Sequence, residues 1–220
     1  MATETTIEDY LKAVWNAGEW SDAPVTVTAL SARLGLSPSS VSEIVRKLTE
    51  RGLLTHERYG SVDLTASGRT IALATVRKHR LIETFLVDYL GYAWDEVHDE
   101  AEVLEHAVSD EFVERLATRL GEPTHDPHGD PIPGADGSLP AEEQTDLASV
   151  AEGQRVRVAR VSDDDPALLR HLREVGIDIG AVVEVHARRT AAGTIDLSIA
   201  GTGVTLGIPA ARVILTEHAG

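Results

Sequence analysis

The feature that most constrains this chain is a run from residue 121 to 147 that holds Pro123, Pro127, Pro131, Pro133 and Pro140 among glycines and acidic residues. Proline lacks a backbone N–H and fixes φ, so such a run cannot be helical throughout, and it reads as a tether. On its N-terminal side apolar residues recur at helical spacing. On its C-terminal side Gln154–Val161, Val183–Ala187 and Ile195–Ile199 alternate strictly, the pattern of half-buried strands. With a short helix at Leu168–Val175 and a last strand at Val213–Leu215, these strands predict a small barrel. The expected fold class is therefore mostly α with a small β part.

Within the helical part, Ile7, Leu11, Val14 and Trp15 predict a first helix over Ile7–Ala17, with Thr5 and Thr6 as caps and Asp9 on a different side from the apolar stripe. Thr28 is expected to cap a short helix carrying Leu30 and Leu34, which Gly35 ends in a left-handed turn. Ser37 then reads as the N-cap and Pro38 as the first position of a helix whose inner face is Val41, Ile44, Val45 and Leu48. A helix, a glycine turn and a second capped helix make a helix-turn-helix, and the second helix is the one that enters a major groove. Ser37, Pro38, Ser39, Ser40, Ser42 and Glu43 lie toward its N-terminal end, where side chains reach base edges; Arg46, Lys47 and Arg51 follow for phosphates. Residues 53–64 read as two short strands around a glycine turn, a wing whose Arg58 would reach the backbone or the minor groove.

A net charge of −16 argues against a nucleic-acid partner until its distribution is considered. Residues 1–76 hold 7 basic and 9 acidic groups, and residues 148–220 hold 8 and 9, but residues 77–147 hold 5 and 18. The acidity belongs to the middle segment, where a bound cation would relieve self-repulsion. A long helix from Arg69 to Leu90, opened by Thr65–Gly68, carries His79 and Glu83 one turn apart. After Gly91, a second helix carries His98, Glu102, Glu105 and His106 on one stripe. Read alone, that stripe is equally a solvated acidic face. Two helices carrying such sets favour a coordinating cluster for a divalent cation.

Cysteine is absent, which removes disulfides and every thiolate site. The first residues lack the basic and apolar regions of a signal peptide, and no apolar run approaches the roughly 20 residues of a membrane span, so a soluble cytoplasmic protein is expected.

The winged helix, Arg77-Lys78-His79-Arg80-Leu81, the stretch Glu96–His106 and Asp126-Pro-His128-Gly-Asp-Pro-Ile-Pro133-Gly, in this order and spacing, resemble the diphtheria toxin repressor and iron-dependent regulator family, including its manganese transport regulators. The resemblance covers nearly the whole chain. It implies a homodimeric, metal-activated repressor of operator DNA, controlling metal-uptake genes. Its parts would be a winged-helix domain over 1–74, a helical metal-binding and dimerisation domain over 75–140, a linker over 141–149 and an SH3-like, FeoA-like domain over 150–220. It carries one metal site onto His79, Glu83 and His98, completed from the SH3-like domain by Asp163 or Asp164, and another onto Asp9, Glu102, Glu105 and His106. Iron-type members have methionine where this chain has Asp9 and cysteine where it has Glu102. Hard carboxylates in place of sulfur suit Mn(II), with Fe(II) as the alternative. Lys12 stands where some short manganese regulators carry a second carboxylate, which favours two separate sites per chain. The family has a turn resembling the one that holds His125 and His128, so these read as structural, and Asp165 reads as a helix cap. A metallohydrolase, with Glu105 and His106 activating a water, is the alternative of another class; the winged helix and the absence of nucleophile or phosphate-loop motifs weigh against it.

Overall fold

Helix α1 (Glu4–Glu19) begins at Thr3, whose hydroxyl accepts the Thr6 N–H. Thr5 and Thr6 therefore lie inside the helix rather than capping it, because Thr3 is the residue with extended backbone whose side chain can turn back onto the first free N–H. This computed structural model describes residues 3–21, 23–57 and 60–219. In α2 (Val27–Leu34) the cap is again two residues earlier than expected: Thr26 accepts from the Ala29 N–H, and Thr28 sits in the first turn. Gly35 ends α2 at φ 64°, where a side chain would be strained. Ser37 caps α3 (Pro38–Glu50) as expected, accepting from the Ser40 N–H.

Strands β1 (Leu54–His56) and β2 (Val62–Leu64) pair antiparallel, His56 opposite Val62, and form the wing. Thr65 donates to the Gly52 carbonyl and accepts the Gly68 N–H, which starts α4 (Ala66–Leu90) against the end of the wing. The core under the helix-turn-helix comprises Leu11, Leu30, Val41, Val45, Leu48, Leu54 and Val62, all buried.

The described residues divide into two compact units. One runs to His79 and takes in Pro133–Ser138; the other holds Arg80–Ile132 and Leu139 onward. The second contains the rest of α4, α5 (Val97–Glu105), α6 (Asp110–Leu120) and an antiparallel six-stranded sheet. Its strands are β3 (Thr145–Asp146), β4 (Arg155–Val161), β5 (Val182–Arg189), β6 (Thr194–Ile199), β7 (Thr202–Gly207) and β8 (Ile214–His218), in the order β3-β8-β4-β5-β6-β7. Two helices, α7 (Pro166–Glu174) and α8 (Ile208–Arg212), join them. Asp165 caps α7 by accepting the Ala167 and Leu168 N–H groups.

One expectation is corrected in this part of the unit. The linker placed at 141–149 contains β3, which pairs with β8, and Leu147, Ala148 and Val150 are buried in the sheet's core, so the sheet begins earlier than alternation alone indicates. Trp94, between α4 and α5, also packs in that core. The helical part of this unit and the sheet are thus joined through a shared tryptophan as well as through the chain.

The proline-rich run is no loose tether in its first half. Asp126, His128, Asp130, Pro131, Ile132 and Pro133 are buried. The Asp126 Oδ1 accepts the N–H groups of His128 (2.8 Å) and Asp130 (2.9 Å), folding the segment on itself, and the Arg80 guanidinium donates to the Pro131 carbonyl at 2.7 Å. The loop docks on β4, where the register with β8 shifts between Val158 and Arg160, and Val161 donates to the His128 carbonyl. Gly129 is required there: at φ 80° an added Cβ would lie 2.0 Å from the Ala159 oxygen. Gly129→Ala is expected to cost at least about 2 kcal/mol, combining left-handed strain with overpacking against backbone. Denaturant melts of the metal-free protein would read this as a lower midpoint, and an unchanged midpoint would contradict the packing described.

Candidate metal centre and nucleic-acid interface

On α3, Ser37, Pro38, Ser39, Ser40, Ser42, Glu43, Arg46 and, just beyond it, Arg51 are exposed, while Val41, Val45 and Leu48 are buried; Ile44 is half-buried. The amphipathic register expected of a recognition helix is present. Glu43 pairs with Lys47 at 2.6 Å and Arg46 with Glu50. The hydrogen bond from Lys47 holds the Glu43 carboxyl below its usual pKa. The carboxylate on the helix expected to enter a major groove is thus paired locally, and an exposed pair of this kind is weak enough for Lys47 to exchange partners. Arg58 lies outside the described residues.

The stripe on α5 divides between its two ends. His98 and Glu105 are seven residues apart, about 10 Å along a helix, too far to share one ion. At the N-terminal end, His98 Nδ1 lies 3.0 Å from Asp163 and 3.5 Å from Glu83 Oε1. Glu83, His98 and Asp163 offer ligand atoms within 4.8 Å of one another, and His79 stands one turn before Glu83 on α4. Asp163 is supplied by the turn after β4, just ahead of the α7 cap. The neighbouring Asp164 does not join this group, its backbone N–H instead donating to Ser162.

At the C-terminal end, Glu102, Glu105 and His106 form a second group, with His106 Nε2 3.4 Å from the buried Glu105. Asp9 belongs to the other unit, half-buried on α1 beside the buried Ile7, Tyr10 and Leu11.

The electrostatics of the first group show what it needs. Burial pulls the His98 pKa down, but hydrogen bonds to Asp163 and Glu83 and their charges outweigh this and push it up to about 11. Asp163 is likewise driven below the ordinary carboxylate range, its burial outweighed by the His98 hydrogen bond. Without metal, a proton on His98 supplies the positive charge; a metal ion needs that lone pair and must release the proton. Because the His98 pKa lies above neutrality, the affinity of this group for a divalent ion that took His98 as a ligand is expected to rise about tenfold per pH unit between about pH 6.5 and 8.5. Calorimetric titrations in buffers of different ionisation enthalpy would show the released proton. A pH-independent affinity would remove the ligand role of His98.

A model described as the N-terminal DNA-binding domain of iron dependent repressors matches residues 2–62, the metal-binding and dimerisation domain of the same repressors matches 65–134, and a FeoA domain matches 145–218. The iron-dependent repressor IdeR of Mycobacterium leprae is 33% identical over 225 residues, covering 96% of each chain. This chain belongs to the iron-dependent repressor family. The family is one of metal-dependent transcriptional repressors, and the winged helix, helical domain and FeoA-like sheet described above are its three parts. Among solved structures, a manganese-dependent transcriptional repressor in complex with manganese is 51% identical, with a TM-score of 0.92 over 96% of this chain and 99% of that one. The manganese regulator SloR is 35% identical, with a TM-score of 0.83 over 96% and 98%. No helix among the described residues is long and apolar enough to cross a membrane.

The sequence assigns no role to the buried Arg80, Asp126, Asp130 and Arg160, and marks His128 only as structural. The signal was present in Asp126-Pro-His128-Gly-Asp130, but alternating acids and prolines in a turn carry no indication of burial.

Proposed function

We propose that this chain is a Mn(II)-activated repressor that binds operator DNA as a homodimer in the cytoplasm and controls metal-uptake genes. The observation that carries the choice of metal is the donor set. Both candidate groups are built of carboxylate and imidazole, and the chain contains no cysteine and no methionine beyond Met1. Oxygen-rich sites without sulfur suit Mn(II) better than the later divalent metals. The names of the two solved relatives, both manganese regulators, agree with this.

Asp9, Glu102, Glu105 and His106 would hold one ion, and His79, Glu83, His98 and Asp163 another. A bound divalent ion would place a positive charge among these carboxylates. Since Asp9 is on the first helix of the DNA-binding unit, its ligation would bias the position of the two recognition helices in a dimer toward the spacing of two half-sites. Support for the dimer comes from Tyr89, Leu90, Val103 and Phe112, large apolar residues of α4 to α6 left exposed in the single chain.

The test is direct. A duplex selected from random sequence in the presence of Mn(II) would be titrated by fluorescence anisotropy with Mn(II) and with chelator. Mn(II) is expected to tighten binding by about 5- to 150-fold, the usual span of a coupling between two sites. Equal affinity in the two conditions would end the proposal. Fe(II) is the second reading, favoured by the iron-repressor relatives, and anaerobic titration at matched free metal separates the two.

A further inference from the structure

One edge of the six-stranded sheet is left open. β7 (Thr202–Gly207) pairs with β6 in an unbroken register and, among the described residues, with no strand on its other side. Ala200 (φ 49°) and Gly201 (φ 83°) make the two-residue turn between them, so the flanking pair Ile199 and Thr202 is hydrogen-bonded and the pairs alternate from there. Thr202, Val204 and Leu206 therefore turn their backbone groups to β6. Gly203, Thr205 and Gly207 turn theirs outward, and all three residues are exposed. A Cβ added at Gly203 would meet nothing within 4 Å, so the space beside the strand is open.

Exposed edges of natural sheets carry devices against pairing, such as lysine, proline, a bulge or extreme shortness. The opposite edge, β3, is only two residues long. β7 has six residues with no charge, no proline and no shift of register. Residues 197–211 are the longest stretch of the chain without a charged side chain, in a protein of net charge −16. The carboxylate beside the edge, Asp196, is held by Arg189 and by the Thr205 hydroxyl, which donates to it at 2.8 Å. A second copy can approach here without the repulsion that its acidic surfaces would meet elsewhere.

The edge is also complementary to itself. When its three outward residues meet those of a second copy antiparallel, Thr205 lies opposite its own counterpart and Gly203 lies opposite Gly207 on both sides of the axis. Each glycine then faces a glycine, so no side chain obstructs the approach, and a threonine pair directly across two strands is favourable. We infer that β7 pairs antiparallel with the β7 of a second copy of this chain, about a two-fold axis at Thr205. This contact is separate from the exposed apolar residues of α4 to α6, and two kinds of two-fold contact in one chain join dimers into larger assemblies. A pair of short strands buries little surface, so the association is weak and depends on concentration.

The experiment uses the full chain, which contains no cysteine. In the paired register the two Thr205 Cα atoms stand about 5.5 Å apart, within the span of a disulfide. Thr205→Cys is expected to form a disulfide-linked pair of chains under mild oxidation. Thr202→Cys, exposed on the same strand but three residues from the axis, would hold its two sulfurs about 20 Å apart and is expected to stay unlinked. In sedimentation velocity of the chain without cysteine, the largest species is expected to lose about half its mass on Thr205→Lys, which sets like charges opposite each other across the axis while keeping a partner in Asp196. Circular dichroism would show that this variant keeps its fold. Linking of both cysteine variants alike, linking of neither, or a mass unchanged by Thr205→Lys would overturn the inference. An edge that receives an extended segment of another protein instead would link neither. The proposed function is tested separately, by DNA affinity with Mn(II).

Discussion

Glu105→Gln is expected to leave the metal-free protein folded and able to bind DNA weakly, while Mn(II) no longer tightens that binding. Glu105 is almost fully buried at the end of α5, in contact distance of His106 and grouped with Glu102. The substitution preserves shape and one oxygen but removes the charge that an ion would neutralise. Affinity at this position should fall by more than about 100-fold, beyond the 10- to 100-fold lost when only a ligand's outer partner is removed. Glutamine keeps the volume and a hydrogen-bonding oxygen, so the metal-free variant is expected to stay folded, which circular dichroism would show. A retained fold separates a lost ligand from a damaged one. Calorimetric Mn(II) titration should still detect the group at Glu83, His98 and Asp163. A variant with natural Mn(II)-dependent DNA binding would show that Glu105 is not a ligand that matters.

The candidate groups were readable to unequal degrees, and the difference is physical. Helical spacing places Glu102, Glu105 and His106 together because i, i+3 and i+4 neighbours share a face whatever the chain does elsewhere. The same arithmetic separates His98 from Glu105. Ser37-Pro38 announces α3 because a hydroxyl cap and a proline at the first position act locally. Threonine pairs are less informative: the chain offers several hydroxyls before α1 and α2, and only the backbone conformation at Thr3 and Thr26 decides which one caps. Choosing Asp163 over Asp164 takes the exit angle of β4, and the burial of His128 takes a guanidinium from α4 and a bulge in a strand some 30 residues further on. Trp94 is the sharpest case. It lies between two helices in sequence yet belongs to the core of the sheet, a placement no local pattern contains.

Exchanging the two carboxylates that distinguish this chain from iron-type relatives is expected to invert its metal preference. Asp9→Met together with Glu102→Cys would supply one thioether and one thiolate to the proposed second site. Soft donors bind later, more polarisable metals well and Mn(II) poorly. Glu102 is half-buried on α5, open enough to accept cysteine without a cavity, and Asp9 borders buried apolar residues of α1 among which a methionine packs readily. The natural chain should favour Mn(II) in metal-activated DNA binding, and the double variant should favour Fe(II) or Co(II), each by roughly tenfold or more at equal free metal, which is about 1.4 kcal/mol. The first group, with no sulfur introduced, should keep its preference in both proteins, which gives the titration an internal reference. If the variant still prefers Mn(II), preference is set elsewhere, and the group built on Glu83, His98 and Asp163 becomes the place where this repressor distinguishes its metals.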